Sequence, residues 1–250
     1  MNQKGGVGKS TTAVNLGTAL AVLGKRVLVI DSDPQGNATT GFGIAKGRLQ
    51  RDVYDLLLQE ASIDDVAVST EIDGLSLVPS TINLAGAEIE LVSAMSRETR
   101  LRQAIAPVAD RYDFVLIDCP PSLGLLTINA LTAASECLIP VQAEYYALEG
   151  LSQLTGVVAR VREALNPTLR VSGVLVTMFD GRTRLATEVF EELVKFFPQQ
   201  IFKTQIPRNV RISEAPSFGK PVILFDAKSR GAQAYLALAR ELLEPIEASA

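Results

Sequence analysis

The sequence predicts an α/β fold: a doubly wound, mostly parallel β-sheet flanked by helices. Apolar segments of strand length alternate with longer helical segments, and these strands are apolar throughout instead of alternating. A glycine-rich loop of the kind that binds phosphate stands directly before the first helical segment. At 250 residues the chain is predicted to form a single domain over residues 1–250.

The predicted elements follow from apolar periodicity along the chain. Strands are predicted at Arg26–Asp31, Phe114–Asp118, Cys137–Val141 and Val171–Thr177, with weaker candidates at Leu75–Val78 and Ile201–Ile206. Helices are predicted at Lys9–Leu23, Ala87–Ile105, Leu123–Ala134, Leu148–Leu165, Arg184–Phe196 and Ala232–Leu243. The glycine-rich, basic segment Gly41–Arg51 is predicted to be a mobile loop.

The start of the sequence departs from the usual arrangement of such folds. A phosphate-binding loop normally follows a strand, and here only Met1 and Asn2 precede Gln3. We therefore expect the first strand of the sheet to be missing or truncated. Its two neighbours would then present unpaired edges.

Composition narrows the chemistry that is open to the chain. It contains no histidine, so a histidine base and the usual histidine-containing zinc sites are excluded. Cys119 and Cys137 form no CxxC pair and are expected to be buried, inert side chains. No apolar run reaches the roughly 18 residues of a membrane span. The net charge is −4, but residues 200–231 carry six basic side chains against two acidic ones, which would suit a polyanion.

The loop at residues 3–11 is predicted to bind nucleotide phosphates. Its glycines let backbone N–H groups turn toward an anion, and the following helix adds its positive end. Lys9 can reach the β- and γ-phosphates, and the Ser10 hydroxyl can ligate Mg²⁺. The ordinary pattern G-x-x-x-x-G-K-[ST] fails at Gln3. The predicted nucleotide ligands in this cradle are Gly5, Gly6, Val7, Gly8, Lys9, Ser10 and Thr11.

Two aspartates are predicted to meet this loop. Asp31 and Asp118 end apolar strands, and ligands of parallel sheets bind at the carboxyl ends of the strands. Asp33 lies two residues after Asp31. The alternative is structural: Asp31 caps a strand end, and Asp33-Pro34 forms a simple turn.

Three motifs together resemble one family. The loop Lys4-Gly-Gly-Val-Gly-Lys-Ser10 resembles the deviant Walker A, signature-lysine ATPases, which include ParA/Soj, MinD and the nitrogenase iron protein. The segments Asp31-Ser-Asp-Pro-Gln-Gly-Asn37 and Ile206-Pro-Arg-Asn-Val-Arg-Ile-Ser-Glu-Ala-Pro216 resemble ParA/Soj proteins in particular. The resemblance extends from residue 2 to about residue 243.

The resemblance implies roles for individual residues. Lys4, Lys9 and Asp33 would be catalytic, Lys4 by crossing a dimer interface to the partner's nucleotide and Asp33 by orienting the attacking water. Ser10, Asp31 and Asp118 would hold or support Mg²⁺. The switch loop would include Pro120, Pro121 and Gly124. Pro207 and Asn209 would face the adenine, and Arg182, Arg184 and Arg211 would face DNA.

The implied function is DNA segregation. ATP-dependent dimerisation would switch on non-specific binding of double-stranded DNA, and hydrolysis to ADP, stimulated by a ParB/Spo0J-type centromere-binding protein, would reverse it. The chain would be cytoplasmic and nucleoid-associated in a bacterium. The main alternative is a MinD-like division-site ATPase on the membrane, although the acidic end around Pro245 does not suit a basic amphipathic anchor. A metabolic amidoligase or kinase and an inactive DNA-binding module are further alternatives.

Overall fold

The computed structural model describes residues 5–144, 147–198 and 200–244. It has the predicted α/β architecture, with strands covered by helices on both faces. The strands are β1 (Val27–Asp31), β2 (Val68–Ser69), β3 (Leu75–Val78), β4 (Phe114–Asp118), β5 (Glu136–Gln142) and β6 (Arg170–Thr177). The pairings between these strands are parallel except that of the short β2, which runs antiparallel to β3.

The described strands form two sheets instead of one. The first has the order β2-β3-β1-β4, and the second pairs β5 with β6. In the first sheet Val27 pairs with Leu75 on one side and Phe114 on the other, which sets Asp31 beside Asp118. The carboxyl end of β6 faces the same loop, because Thr177 Oγ1 donates to the Val7 carbonyl over 2.8 Å. The carboxyl ends of the parallel strands in both sheets therefore lie on the side of this loop.

A gap separates β4 from β5. Among the described residues no strand lies between them. β1 is buried along its whole length, whereas its neighbour β4 is only half-buried from Phe114 to Ile117. A cavity of about 150 Å³ is lined by both strand edges, by Leu16 from above and by Ala130 and Ala134 from below. The gap thus extends inward beneath the first helix.

The helices are named here in chain order. They are α1 (Lys9–Val22), α2 (Asn37–Gly41), α3 (Val53–Leu58), α4 (Ile63–Val66), α5 (Leu84–Glu90), α6 (Arg100–Ile105), α7 (Leu125–Ala133), α8 (Ala147–Ala164), α9 (Arg184–Phe196), α10 (Val210–Glu214), α11 (Val222–Phe225) and α12 (Arg230–Leu243). Short 3₁₀ turns lie at Lys46–Arg48, Leu91–Ser93, Arg97–Thr99, Ala106–Arg111 and Ala215–Phe218.

The core is continuous on one face and divided on the other. Helices α1 and α12 cover a cluster that includes Val29 of the first sheet and Leu175 of the second. On the opposite face, α3, α6 and α7 pack with Leu28 and Ile30, while α8 and α9 pack with Ile139 and Val174 in a second cluster, to which α7 contributes Leu131. One shared cluster therefore joins the sheets, and two separate clusters lie beneath them.

Three sequence predictions were wrong in detail. The helix expected at Ala87–Ile105 is interrupted, because Ala94 is extended and Ser96 takes a left-handed φ of 53°. Serine hydroxyls compete with helical hydrogen bonds, and Ser93 donates to the Glu90 carbonyl. The candidate strand Ile201–Ile206 makes only an isolated bridge from Ile201 to Val174. The segment Gly41–Arg51 contains the end of α2 and a 3₁₀ turn.

Helix α1 approaches the first sheet most closely at Gly17. A Cβ at this position would stand 2.9 Å from Val29 Cγ2 and 3.5 Å from Leu116 Cδ1. We expect Gly17→Leu to lower the free energy of unfolding by about 1–3 kcal/mol, because the added side chain overpacks the contact. Urea denaturation would measure it, with Val22→Leu as control because Val22 lies on the same helix with its side chain exposed. Equal losses in both variants would contradict the close packing.

Candidate functional site

The predicted phosphate loop ends in an uncapped helix N-terminus. Gly6 and Gly8 have φ angles of 78° and 88°, which only glycine adopts at little cost. Helix α1 begins at Lys9, and the residue before it, Gly8, has no side chain with which to cap it. The first N–H groups of an α-helix have no partner within it, so they are available to an anion together with the positive end of the helix. Lys4 lies outside the described residues.

A cavity of about 390 Å³ opens above this loop. It brings Lys9, Ser10 and Thr11 together with Asp33 and Pro121, as the sequence predicted. Its remaining wall includes Met178 and Lys220, together with Ala215 and Pro216 from the end of the segment that resembles ParA/Soj proteins. Met178 follows β6 with a left-handed φ of 51°, a strained conformation for a non-glycine residue. The cavity has the composition expected of a phosphate site, with a cationic floor and an acidic rim.

Asp31 is buried and fully engaged in hydrogen bonds. Its Oδ2 accepts from the backbone N–H and the hydroxyl of Thr39, each over 2.7 Å, and its Oδ1 accepts from the Asp33 N–H over 3.2 Å. Thr39 in turn accepts from the Ser80 N–H over 2.9 Å. The sequence missed both Thr39 and Ser80, since these contacts depend on folding.

Asp118 is buried beside Asp31, but its carboxylate accepts fewer hydrogen bonds than that of Asp31. Its carboxylate accepts a hydrogen bond from the Ser10 side chain, while its Oδ2 is buried and finds no hydrogen-bond partner among the described residues. Burial, followed by the neighbouring charge of Asp31, raises the pKa of Asp118 to about 7. Burial likewise raises the pKa of Asp31 to about 6 and lowers that of Lys9. This edge of the sheet therefore holds more negative charge than its surroundings stabilise.

These donors fit a divalent cation that also binds phosphate. A carboxylate oxygen with a vacant acceptor position beside a serine hydroxyl is suited to Mg²⁺, which takes few protein ligands and completes its shell with water and phosphate. In the described part of the chain, no three histidine, cysteine or acidic side chains converge closely enough to hold a metal alone. A cation here would accordingly depend on phosphate oxygens as well as on Ser10 and Asp118.

Asp33 is held rigidly at the edge of the phosphate cavity. It is only 5% exposed, and its Oδ1 accepts from the Gln35 N–H over 2.9 Å. Its carbonyl accepts from Ser80 Oγ and from the Gly36 N–H, each over 2.8 Å. Lys46 Nζ donates to the Gln35 carbonyl over 2.6 Å. The Asp33 carboxylate is thus positioned by a fixed turn, which suits a group that must place a water.

Pro207 and Asn209 do not line the phosphate cavity. Pro207 forms a parallel bridge with Phe179, and Asn209 caps α10 by accepting from the Arg211 N–H over 3.0 Å. Pro207 instead lines a second cavity of about 730 Å³, together with Phe179 and Arg182. Their contact with a nucleotide base remains a prediction.

The three arginines predicted to face DNA are surface residues with acidic partners. Arg182 pairs with Asp180 over 2.7 Å, and Arg184 pairs with Glu188 over the same distance. Arg211 contacts Glu214 at 2.9 Å and Asp226 at 3.3 Å, and it lies over the Phe225 ring. Exposed pairs of this kind are weak. A DNA phosphate could therefore replace the acidic partner of each arginine at little cost in free energy. Contact of these arginines with DNA remains a prediction.

Comparison with known proteins identifies the family. A family model described as an AAA domain matches residues 1–171. The chain is 58% identical to the sporulation initiation inhibitor protein Soj of Bacillus subtilis over 96% of its own length and 95% of that protein. It is 54% identical to the chromosome partitioning protein ParA of Myxococcus xanthus, over 97% of this chain and 86% of the relative. The chain belongs to the Soj/ParA family. This confirms the resemblance predicted from the three motifs.

A solved structure extends the comparison to the fold. The chain is similar to cobyrinic acid a,c-diamide synthase from Mycobacterium smegmatis, with a TM-score of 0.85 and 37% identity, over 97% of this chain and 92% of the other. That protein was solved with a bound ATP analogue and magnesium. The Soj/ParA fold of this chain is therefore that of a phosphate-binding-loop NTPase, and a helix capable of crossing a membrane is absent from the residues described.

The pKa of Asp118 gives this Soj/ParA protein an expected pH dependence. A carboxyl group with a raised folded-state pKa favours folding while it is protonated, and this contribution is lost as the pH rises from about 4 to about 7. Without metal or nucleotide, Asp118→Asn should therefore raise the free energy of unfolding at pH 8, on the order of a few kcal/mol, and change it little at pH 4. Urea unfolding at the two pH values would measure this, and an equal effect at both would contradict it.

Proposed function

We propose that the chain is a DNA-segregation ATPase that uses ATP and Mg²⁺ to switch non-specific DNA binding on and off. The observation that carries the proposal is the crowding of Asp31 and Asp118 beside Ser10 at the mouth of the phosphate loop. The names of its close relatives, Soj and ParA chromosome-partitioning proteins, point to the same function.

Different residues of the nucleotide site bind the phosphates, hold the metal and position the water. Backbone N–H groups of Gly5 to Thr11 and the end of α1 hold the phosphates, and Lys9 neutralises the β- and γ-phosphates. Ser10 and Asp118, supported by Asp31, would hold Mg²⁺, which supplies positive charge to the same oxygens. Asp33 orients the attacking water from its fixed turn. The products are ADP and phosphate, and intrinsic turnover is slow.

ATP would act as the switch through dimerisation. Two subunits close with their nucleotides between them, and Lys4 of each reaches the phosphates bound by the other. Closure also joins two basic faces, including Arg182, Arg184 and Arg211, into one surface. Since the affinity for DNA rises with the number of phosphates neutralised, doubling the contacts converts weak binding into stable binding. Contacts to phosphates carry no sequence information, so the binding is non-specific.

A partner would reset the switch. The proposed partner is a ParB/Spo0J-type centromere-binding protein that stimulates hydrolysis and thereby releases the dimer from DNA. Repeated cycles would move that partner and its DNA over the nucleoid, which places the protein in the bacterial cytoplasm.

The test is DNA binding by the full chain as a function of nucleotide. A labelled duplex of arbitrary sequence is titrated with protein in a gel-shift assay, with ATP, ADP or no nucleotide, at low and high salt. We expect the protein to bind DNA only when ATP and Mg²⁺ are both present. The affinity should be equal for unrelated DNA sequences and should fall steeply as the salt concentration rises. Binding that ignores the nucleotide would contradict the switch, and an absence of binding in every state would favour a metabolic relative.

A further inference from the structure

The basic side chains of residues 200–231 are divided between two cavities. Arg208 and Arg230 line the cavity of about 730 Å³ to which Arg182 also belongs. Lys220 lines the phosphate cavity instead. The charge count along the sequence treated this segment as one polyanion-binding region. The structure therefore separates Lys220 from the arginines of that region.

Backbone contacts on both sides fix the position of Lys220. The preceding Gly219 has a left-handed φ of 62°, and a Cβ at this residue would lie 2.8 Å from the Cα of Gly43. Two residues after Lys220, the N–H of the buried Val222 donates to Asn15 Oδ1 over 2.7 Å. The short turn that carries Lys220 is thus held against the residues after α2 on one side and against α1 on the other.

The anchor on α1 places Lys220 beside the end of the helix that faces phosphate. Asn15 lies one turn beyond Thr11, and its Nδ2 donates to the Thr11 carbonyl over 2.8 Å. Both residues line the phosphate cavity together with Lys220. Lys220 therefore belongs to the wall beside the first turns of α1, whose free N–H groups are available to an anion.

The ammonium group of Lys220 has no partner within the described ranges. It makes no hydrogen bond or ion pair there, whereas Arg182, Arg184 and Arg211 are each paired with an acidic side chain. Lys220 is also exposed. A phosphate that binds Lys220 would accordingly displace water alone and would not have to break an ion pair.

The charges around the phosphate cavity leave a need for a second cation. The charged residues that line it are Lys9, Asp33 and Lys220. Lys9 already interacts electrostatically with Asp118 and Asp33, so part of its positive charge is balanced within the protein. Each bound phosphate adds negative charge, and a hydrogen bond between an ammonium group and a phosphate oxygen is of the strong, charge-assisted kind.

We propose that Lys220 is a second phosphate-binding cation of the nucleotide site. The proposal rests on the proposed function and adds a residue to its nucleotide site. When a nucleotide occupies the cavity, the Lys220 ammonium donates to a phosphate oxygen, while the glycine loop and Lys9 hold the phosphates from the other side. A lysine suits this place, because its compact charge on a flexible stem can follow the phosphate. Lys220 then contributes to nucleotide affinity and not to the DNA-binding face.

The test is equilibrium binding of ADP and Mg²⁺ to the full chain without DNA. ADP is chosen because the proposed dimerisation requires ATP, so the measurement reports contacts within one subunit. We expect Lys220→Gln to raise the Kd for ADP by about tenfold, as for the loss of one charge-assisted hydrogen bond. Lys220→Arg should keep most of the affinity, and the loss in Lys220→Gln should shrink as the salt concentration rises.

Lys228→Gln is the matched control. Lys228 is an exposed lysine of the same basic segment that does not line the phosphate cavity, so the variant makes the same change in charge and should leave the Kd for ADP unaltered. Equal affinities of Lys220→Gln and Lys228→Gln for ADP would overturn the proposal. An equal loss in Lys220→Arg and Lys220→Gln would also overturn it, because the charge would then not be the cause.

DNA binding at saturating ATP separates this proposal from the proposed function. Lys220→Gln should then bind DNA like the unmodified chain. Loss of DNA binding with an unchanged Kd for ADP would assign Lys220 to the DNA-binding face and overturn the proposal. If the unmodified chain itself fails to bind DNA with ATP, the proposed function is wrong, whereas the ADP measurement still decides the role of Lys220.

Discussion

Asp33→Ala is expected to lower the rate of ATP hydrolysis by at least about a hundredfold, as for the loss of a positioned catalytic group. Nucleotide binding should persist, because the phosphates are held by the glycine loop, Lys9 and the end of α1. The variant should therefore accumulate in the ATP-bound state and stay on DNA. The effect is specific to the carboxylate, since the turn that carries it is also held by the Ser80 hydroxyl and the Gly36 N–H, which both donate to the Asp33 carbonyl.

The measurement combines single-turnover hydrolysis with dissociation from DNA after removal of free ATP. Asp110→Ala is a suitable control, because Asp110 is an exposed aspartate remote from the phosphate cavity. We expect Ser80→Ala to lower the rate of ATP hydrolysis less than Asp33→Ala does, because it keeps the carboxylate but removes the hydroxyl that donates to the Asp33 carbonyl. Normal turnover in Asp33→Ala would refute the water-positioning role, and loss of ATP binding would show that Asp33 serves the fold instead.

Arg211→Glu is expected to abolish ATP-dependent retention on DNA while leaving ATP binding and dimerisation intact. In the proposed dimer the substitution reverses one charge on each subunit, and every lost phosphate contact weakens binding in a salt-dependent manner. The change would also set the introduced carboxylate against Glu214 and Asp226, so thermal stability has to be measured in parallel.

Arg111→Glu provides a matched control for this charge reversal. Arg111 is 50% exposed and paired with Asp64, much as Arg211 is 53% exposed and paired with Glu214 and Asp226. It lies in the 3₁₀ turn before β4, away from the carboxyl ends of the strands. If both variants lose DNA equally, the loss reflects net charge. If neither does, the basic face lies elsewhere, and Arg182 and Arg184 become the next residues to change.

Much of this molecule was predictable from local pattern. The strands at 27–31, 114–118 and 170–177 are apolar runs, and parallel pairing at a common edge follows from the helices between them. The meeting of Asp31 and Asp118 follows in turn, because each ends its strand. The phosphate loop was predictable because its chemistry is contiguous in sequence.

The rest depended on contacts that no local pattern encodes. Thr39 and Ser80 hold Asp31 and Asp33 from positions 8 and 47 residues away in the chain. The break at Ser96 lies within a segment whose composition favours a helix. By contrast, the sequence does contain a signal for α3, which was nevertheless missed. Asp52 and Asp55 form a capping box, in which each carboxylate accepts a hydrogen bond from a backbone N–H at the start of the helix.

The gap between β4 and β5 affects how the molecule unfolds. Within the described residues, no ladder of hydrogen bonds crosses it, and the cores on one face are separate. The cluster under α1 and α12 then joins the two sheets on one face, and α7 links them on the other, since it contributes Ala130 to one cluster and Leu131 to the next. A ligand that bridges Ser10 and Asp118 to the wall at Met178 would act as a clamp across this seam. Nucleotide would therefore do more than raise the melting temperature: it would add a contact across the seam and make the unfolding of the two sheets more cooperative.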